Sequence, residues 1–375
     1  MVTCMEFTVS KGDLVRELSL VGQRVVDKKT RIPVLSNVLL EAQDGELTLT
    51  ATDLVELGVR CVCPAVVKKP GSSTLPARKL LDYVRLLPDA ELHVETGEDH
   101  SASVTCGRFQ TRISGISSEN FPALPKMPPP LAQIPASLLS GIIRRTVFAV
   151  SAEGSWYKGA LLLLKPDSIT MVSTDGSRLA FVEATLEGVK GQLRALVSKK
   201  AMVEIGRLAM KAGQGASVTL ANDENHLFFQ LGQRLLITRK LTGQFPDYER
   251  RGIPWESNGG LVLNREELAA ALRRVSQFAD ERSHAIRLSL SPGEVKLAAS
   301  GSESGESEES LPVDGVGPQL PQIGFNAQYI LDFLSAIGVE DVRLEIKNEQ
   351  SAAQLKPVGE EEYHYRYVVM PRRLD

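Results

Sequence analysis

The stretch Ile169–Ala184, ITMVSTDGSRLAFVEA, sets the architecture of the whole chain. Ile169, Met171 and Ser173 alternate with Thr170 and Val172; Thr174-Asp175-Gly176-Ser177 carries turn chemistry; Leu179 and Phe181 then resume the alternation. This is the pattern of a strand, a tight turn and a second strand. The phrase recurs. Leu47–Cys61, LTLTATDLVELGVRC, has Thr52-Asp53 where Thr174-Asp175 stands, and Val295–Leu311, VKLAASGSESGESEESL, has Ser300-Gly301 there. The copies are about one domain length apart, well beyond the solenoid period of roughly 20–50 residues, so the chain reads as three repeated domains.

Working outward, each hairpin sits among the same elements. In the first repeat Ser10 opens a helix with Asp13 three residues on, and Leu14, Leu18, Val21 and Val25 form its apolar stripe. Val38–Leu40 and Leu47–Ala51 pair around Asp44-Gly45, Pro76-Ala77-Arg78-Lys79 starts a second helix that stops before Pro88, and Glu91–Glu95 and Ser101–Ser114 read as two strands. The second repeat follows a proline-rich spacer, Pro122–Pro135, with helices expected over Ser137–Val150 and from Ser198-Lys199-Lys200, and a hairpin turn at Asn222-Asp223. In the third, Asn264 caps one helix, with Glu267 at the reciprocal position. Phe325-Asn326-Ala327-Gln328 starts the other, Gly338 stops it, and Tyr363–Met370 is the last strand. Ser300–Ser310 has the Ser/Glu composition of a disordered loop, but its place in the repeat predicts strand and turn. The fold class is α+β, with two helices packed on antiparallel sheets in each repeat.

Composition narrows the function. Apolar residues at 43% and charged residues at 24% are those of an ordinary globular protein, while aromatics at 5% offer no platform for stacking bases. The net charge of −3 argues against a generally basic nucleic-acid binder but leaves room for cations gathered on particular helices. Basic residues do recur on equivalent helices: Arg24, Lys28, Lys29, Arg78, Arg144, Lys199, Lys200 and Arg274. The N-terminal residues lack a basic segment followed by an apolar one, and the longest apolar run, Ala160–Leu164, is too short for a bilayer; a cytoplasmic protein is expected. Cys4, Cys61, Cys63 and Cys106 form no CxxC pair, so neither a metal site nor a cofactor is anticipated.

Catalytic patterns are missing too: there is no GxxxxGK[ST] loop, no HExxH and no GxSxG elbow. Asp53 and Asp175 are the best acidic candidates, but both occupy the same turn of a repeat, where an aspartate ordinarily accepts backbone N–H bonds.

In order and spacing, several phrases together resemble the bacterial DNA polymerase III beta subunit, the sliding clamp family. They are Ile32-Pro33-Val34-Leu35-Ser36-Asn37, Thr48–Asp53, Val172–Gly176, Gly243–Tyr248, Gly324-Phe325-Asn326 and Tyr367–Pro371. The resemblance runs end to end. It implies three DNA-clamp domains, over residues 1–125, 126–253 and 254–375, in a homodimer that closes head to tail around duplex DNA. Such a ring is a processivity factor without catalytic activity, holding DNA without reading its sequence and tethering the replicative polymerase, clamp loader and other partners. The basic residues named above would then face phosphates.

By the same resemblance, partner peptides dock in a pocket at Tyr157, Thr174, Gly176, Ser177, Arg178, Leu179, Pro246, Arg250, Val368, Val369, Met370, Pro371, Arg372, Arg373 and Leu374. The chain departs from the family pattern at Arg372, where an apolar residue is usual, at Ser177, where histidine is common, and in carrying Asp375 beyond Leu374. The implied dimer contact joins Lys79, Phe109 and Thr111 to Phe278 and the Glu303–Glu306 stretch. The alternatives are a peptide-binding scaffold that never encircles DNA, and a repeat-built hydrolase using Asp53, Asp175 and a histidine such as His226.

Overall fold

The computed structural model describes residues 4–24, 31–151, 159–249, 260–281, 283–301, 305–316, 320–359 and 362–372. The first repeat runs β1 (Glu6–Ser10), α1 (Lys11–Arg24), β2 (Asn37–Gln43), β3 (Glu46–Thr52), β4 (Leu57–Pro64), β5 (Val66–Lys69), β6 (Gly71–Pro76), α2 (Ala77–Leu86), β7 (Glu91–Thr96), β8 (Ala102–Cys106) and β9 (Phe109–Ile113). The second runs β10 (Ala132–Pro135), α3 (Ala136–Thr146), β11 (Ala160–Lys165), β12 (Ser168–Thr174), β13 (Arg178–Thr185), β14 (Leu193–Val197), α4 (Lys199–Met210), β15 (Ser217–Asn222), β16 (His226–Leu231) and β17 (Arg234–Arg239). The third runs β18 (Gly260–Asn264), α5 (Arg265–Val275), β19 (Ala285–Ser291), β20 (Glu294–Gly301), β21 (Gly305–Pro312), β22 (Asp314–Val316), β23 (Leu320–Asn326), α6 (Ala327–Ala336), β24 (Asp341–Glu345), β25 (Ala353–Pro357) and β26 (His364–Val369).

The three hairpins pair equivalent residues beside their turns, the second turn being one residue shorter. Thr52 stands opposite Gly58, Thr174 opposite Leu179, and Ser300 opposite Glu306. The Ser/Glu-rich copy is therefore a strand, paired with β20 from Glu294↔Pro312 to Gly301↔Gly305; backbone pairing outweighs a composition that argues for disorder. Helix starts follow the expected caps. Ser10 Oγ accepts the Asp13 N–H at 3.2 Å, Ser198 Oγ the Ala201 N–H at 3.2 Å, and Asn264 Oδ1 those of Glu266 and Glu267 at 3.0 and 3.1 Å.

Three expectations are corrected. Ser101–Ser114 is a hairpin, β8 and β9 turning at Gly107 with φ 55°, because the turn needs a left-handed residue there. The α-helix expected to reach Val150 stops at Thr146 and continues as a 3₁₀ turn over Val147–Ala149. The proline-rich spacer is packed: β10 joins β15 as an edge strand, where proline is tolerated, and Leu124 and Met127 pack against Ala221, Phe228 and Ile237.

The chain forms two compact units: residues 1–137 with 204–240, and residues 138–203 with 241–375. The first holds a five-stranded sheet, β5-β1-β7-β8-β9, and an eight-stranded sheet, β10-β15-β16-β17-β4-β3-β2-β6. Phe7, Phe228 and Phe229 are among its fully buried side chains. Its eight-stranded sheet is continuous because β17 of the second repeat pairs with β4 of the first, Ile237 opposite Gly58. Beside this junction Glu17 of α1, 2% exposed, accepts from Arg234 Nε and Nη2 at 2.8 and 2.7 Å.

The second unit repeats the device. Its nine-stranded sheet, β14-β11-β12-β13-β26-β25-β24-β18-β22, is continuous because β26 of the third repeat pairs with β13 of the second, Val368 opposite Leu179. Its other sheet is β21-β20-β19-β23.

Candidate functional site

The site is built on the β12–β13 turn. Thr174 Oγ1 donates to Arg178 O at 2.6 Å and accepts the Gly176 N–H at 3.0 Å, while Asp175 Oδ1 accepts the N–H groups of Ser177 and Arg178 at 3.0 and 3.1 Å. Gly176 sits at φ 93°, a conformation that needs glycine. Asp53 does the same in the first repeat, accepting from Val55, Glu56 and Leu57. In each carboxylate Oδ1 is committed to backbone, the structural role that the turn position predicts.

Arg178 ties the turn to the third repeat. Its Nε donates to Asp175 at 2.9 Å, Nη1 to Asp332 at 2.6 Å and Nη2 to Phe148 O at 2.8 Å, with the Phe148 and Tyr329 rings 5.5 and 4.2 Å from the guanidinium carbon. Burial disfavours its charge, but Tyr367, Asp332 and Asp175 more than offset this and raise its pKa. Asp332 and Phe148 were not legible as partners; Asp332 lies 154 positions from Arg178, and no local pattern marks it.

The last described residues are anchored beside this turn. Met370 N–H donates to Ser177 O at 2.9 Å and Arg372 N–H to Gly324 O at 2.8 Å, so the tail is held first to the β12–β13 turn and then, by an isolated bridge at Arg372, to β23 of the four-stranded sheet. Leu179, half-buried, stands next to buried Val368 across the strands, and Met370 is 48% exposed. Around them Leu163, Leu179 and Leu241 show part of their surface over Leu161, Val172, Phe181, Leu196, Phe245 and Tyr248, with Pro246 half-buried between the last two. The Tyr248 ring lies 6.1 Å from Phe181 and 6.2 Å from Phe245. Burial, with Glu249 adding to it, pushes the Tyr248 phenol up to about 12. The result is an apolar surface bordered by backbone turns and the half-buried Arg178, suited to apolar side chains of an extended peptide.

Val369 does not belong to that surface. It is fully buried, because alternation along β26 turns it to the face opposite Val368. Thr174, Gly176, Ser177, Arg178, Leu179, Pro246, Val368, Met370, Pro371 and Arg372 all fall within the second unit. Tyr157, Arg250, Arg373 and Leu374 lie outside the described residues.

The expected DNA-facing residues are scattered over helices. Arg78 is half-buried on α2, Arg144 is exposed on α3, and Lys199 is exposed on α4 with its Nζ 3.3 Å from Val150 O; Lys200 is half-buried next to it. Arg274 is instead committed to Glu309 of β21 by two hydrogen bonds, at 2.9 and 2.5 Å. Arg24 ends α1, Lys28, Lys29 and Glu303 lie outside the described residues, and nothing is described of the Arg24 side chain. Among the expected dimer residues, Lys79, Phe109 and Glu306 are exposed, and Thr111 and Phe278 half-buried.

The models of the DNA polymerase III beta subunit match successive parts of the chain: the N-terminal domain over residues 5–125, the central domain over 133–247 and the C-terminal domain over 250–373. The chain belongs to this family. It is 35% identical to the beta sliding clamp of Chlamydia muridarum, over 99% of both chains. The structure of the Pseudomonas aeruginosa sliding clamp bound to griselimycin matches with TM-score 0.89 and 32% identity, over 99% of this chain and all of that one. That of the C. crescentus beta sliding clamp, with PEG bound at its beta-motif tethering region, matches with TM-score 0.90 and 29% identity over the same shares. The chain is thus a sliding clamp of three DNA-clamp domains, a non-catalytic processivity factor of DNA polymerase III. Among the described residues no cluster of His, Cys, Asp or Glu is placed to hold a metal ion, and no helix is long and apolar enough to cross a membrane.

Proposed function

We propose that two copies of the chain close head to tail around duplex DNA, β9 of one protomer pairing with β21 of the next. One observation carries this reading. β9 and β21 end their sheets with a free edge, and they are the two strands left over by the junction rule that joins β17 to β4 and β26 to β13. The rule also predicts the register. Glu306 holds the hairpin position of Gly58 and Leu179. Arg112, three residues after Phe109, holds the position of Ile237, three after Arg234, in the tight β8–β9 and β16–β17 hairpins. Glu306 therefore faces Arg112, Ser307 faces Thr111, and Glu309 with its Arg274 faces the exposed Phe109. An acidic edge meets a basic one, with Arg108 and Arg112 opposite Glu306, Glu308 and Glu309.

Closure holds DNA topologically, so affinity comes from helix cations such as Arg78, Arg144, Lys199 and Lys200 against phosphates, without base reading. Arg274 belongs to the dimer edge in this reading. The domains divide at 1–125, 126–253 and 254–375, and the protein works in the cytoplasm. Polymerase, clamp loader and other partners each seat an apolar peptide on Leu179, Val368, Met370 and Pro246, and tethering there raises local concentration rather than adding chemistry.

The test is a charge exchange read by sedimentation. Glu306→Arg or Arg112→Glu alone shifts the chain towards monomer at micromolar concentration, and the two together restore the dimer. Single variants as dimeric as the parent would remove the proposed edge pairing. The pocket is read with griselimycin: the chain binds it, and Leu179→Asp loses binding by at least tenfold.

A further inference from the structure

The junction of β4 with β17 copies the junction of β13 with β26 in detail. Each follows a Thr-Asp turn whose aspartate accepts the backbone N–H groups that follow it. Gly58 stands opposite Ile237 as Leu179 stands opposite Val368. Arg239 N–H donates to Glu56 O just as Met370 N–H donates to Ser177 O. The second junction borders the apolar surface of the peptide pocket. The first is filled.

The filling is the linker FPALPKMP, residues 121–128. Its residues repeat in threes: Phe121, Leu124 and Met127 are buried or half-buried, prolines follow each of them, and Ala123, Lys126 and Pro129 are exposed. This is the face pattern of a polyproline-type extended segment with three residues per turn, the conformation in which linear peptides are often recognised. Leu124 and Met127, together with Leu235, pack on Ala221, Phe228 and Ile237. A Cβ on Gly58 would lie 2.7 Å from Leu124 Cδ2, so the position held by Leu179 at the second junction is kept bare at the first to admit Leu124.

We propose that Leu124 and Met127 are a built-in ligand: they occupy a second peptide groove, at the β4–β17 junction, and an apolar linear peptide takes that groove once they are removed. The linker thereby closes the groove at the first junction and leaves partners to compete for the pocket at the second. This rests on the pocket reading of the β13–β26 junction only for its functional meaning; the occupancy of the first groove is independent of it.

The experiment uses the full chain carrying Leu124→Ser with Met127→Ser, and the synthetic peptide FPALPKMP as probe. One peptide per protomer is expected to bind, at least tenfold tighter than to the parent chain, and binding is expected to survive an added Leu179→Asp that blocks the open pocket. Absence of binding by a variant with the parent's circular dichroism spectrum overturns the proposal, as does binding that Leu179→Asp abolishes. Should the double variant not fold, Leu124→Ala carries the test through amide exchange at Phe228 and Ile237. Exchange there is expected to quicken and to slow again with peptide; unchanged rates refute the groove. Griselimycin binding by the parent reads the open pocket alone, so the two failures are told apart.

Discussion

Replacing Arg234 by Met should destabilise the first unit by about 3 kcal/mol. Glu17 is 2% exposed and takes two charge-assisted hydrogen bonds from Arg234, at 2.8 and 2.7 Å. Breaking a buried pair by removing one partner costs roughly 3–5 kcal/mol, and the lower end applies because Arg16 Nε still donates to Glu17 at 2.9 Å. At about 3 °C per kcal/mol for a unit of this size, Tm falls by about 9 °C in a thermal melt. Removing both charges, Glu17→Met with Arg234→Met, should return the chain to within about 1 kcal/mol of the parent, because the cost lies in the stranded charge.

The same pair sets a pH dependence. Burial pushes the Glu17 carboxyl up, but the Arg234 and Arg16 hydrogen bonds outweigh it and leave its pKa below the ordinary glutamate value. A lowered folded-state pKa stabilises fully above the unfolded value of about 4.3 and ceases to do so as pH falls through the folded one. The gap between parent and Arg234→Met should therefore narrow in melts recorded below about pH 4. A gap that stays constant to pH 3, or a double variant as unstable as the single, would refute the assignment.

Arg178→Ala should cost about 2 kcal/mol in the second unit and weaken griselimycin binding, since it leaves the partly exposed Asp332 with only the Gln328 amide at 2.7 Å and loosens the Thr174–Leu179 turn; a melt unchanged within 2 °C at about 3 °C per kcal/mol argues against the latch. Asn264→Ala removes the acceptor for two helix-start N–H groups and should lower stability by about 1 kcal/mol in urea titration. Gly176→Ala places a side chain at φ 93° and should cost on the order of 1 kcal/mol or more, again by urea titration, with no effect on the first unit.

Much of this protein was written in local sequence. The strand alternation of the three hairpins, the Thr-Asp turns of the first two, the caps at Ser10, Ser198 and Asn264, and the halting of α2 before Pro88 depend on neighbours a few residues apart, so the chain specifies them locally. The recurrence of those signals was enough to count three repeats. Tertiary structure decided the rest. That Arg178 meets Asp332, that Arg234 meets Glu17, that Arg274 is spent on Glu309, and that the proline-rich spacer is packed rather than free all depend on groups 35 to 217 positions apart or on a sheet continued across repeats. The sequence carries the charges and apolar residues of these contacts, but their partners are selected by sheet register, which only the assembled strands define.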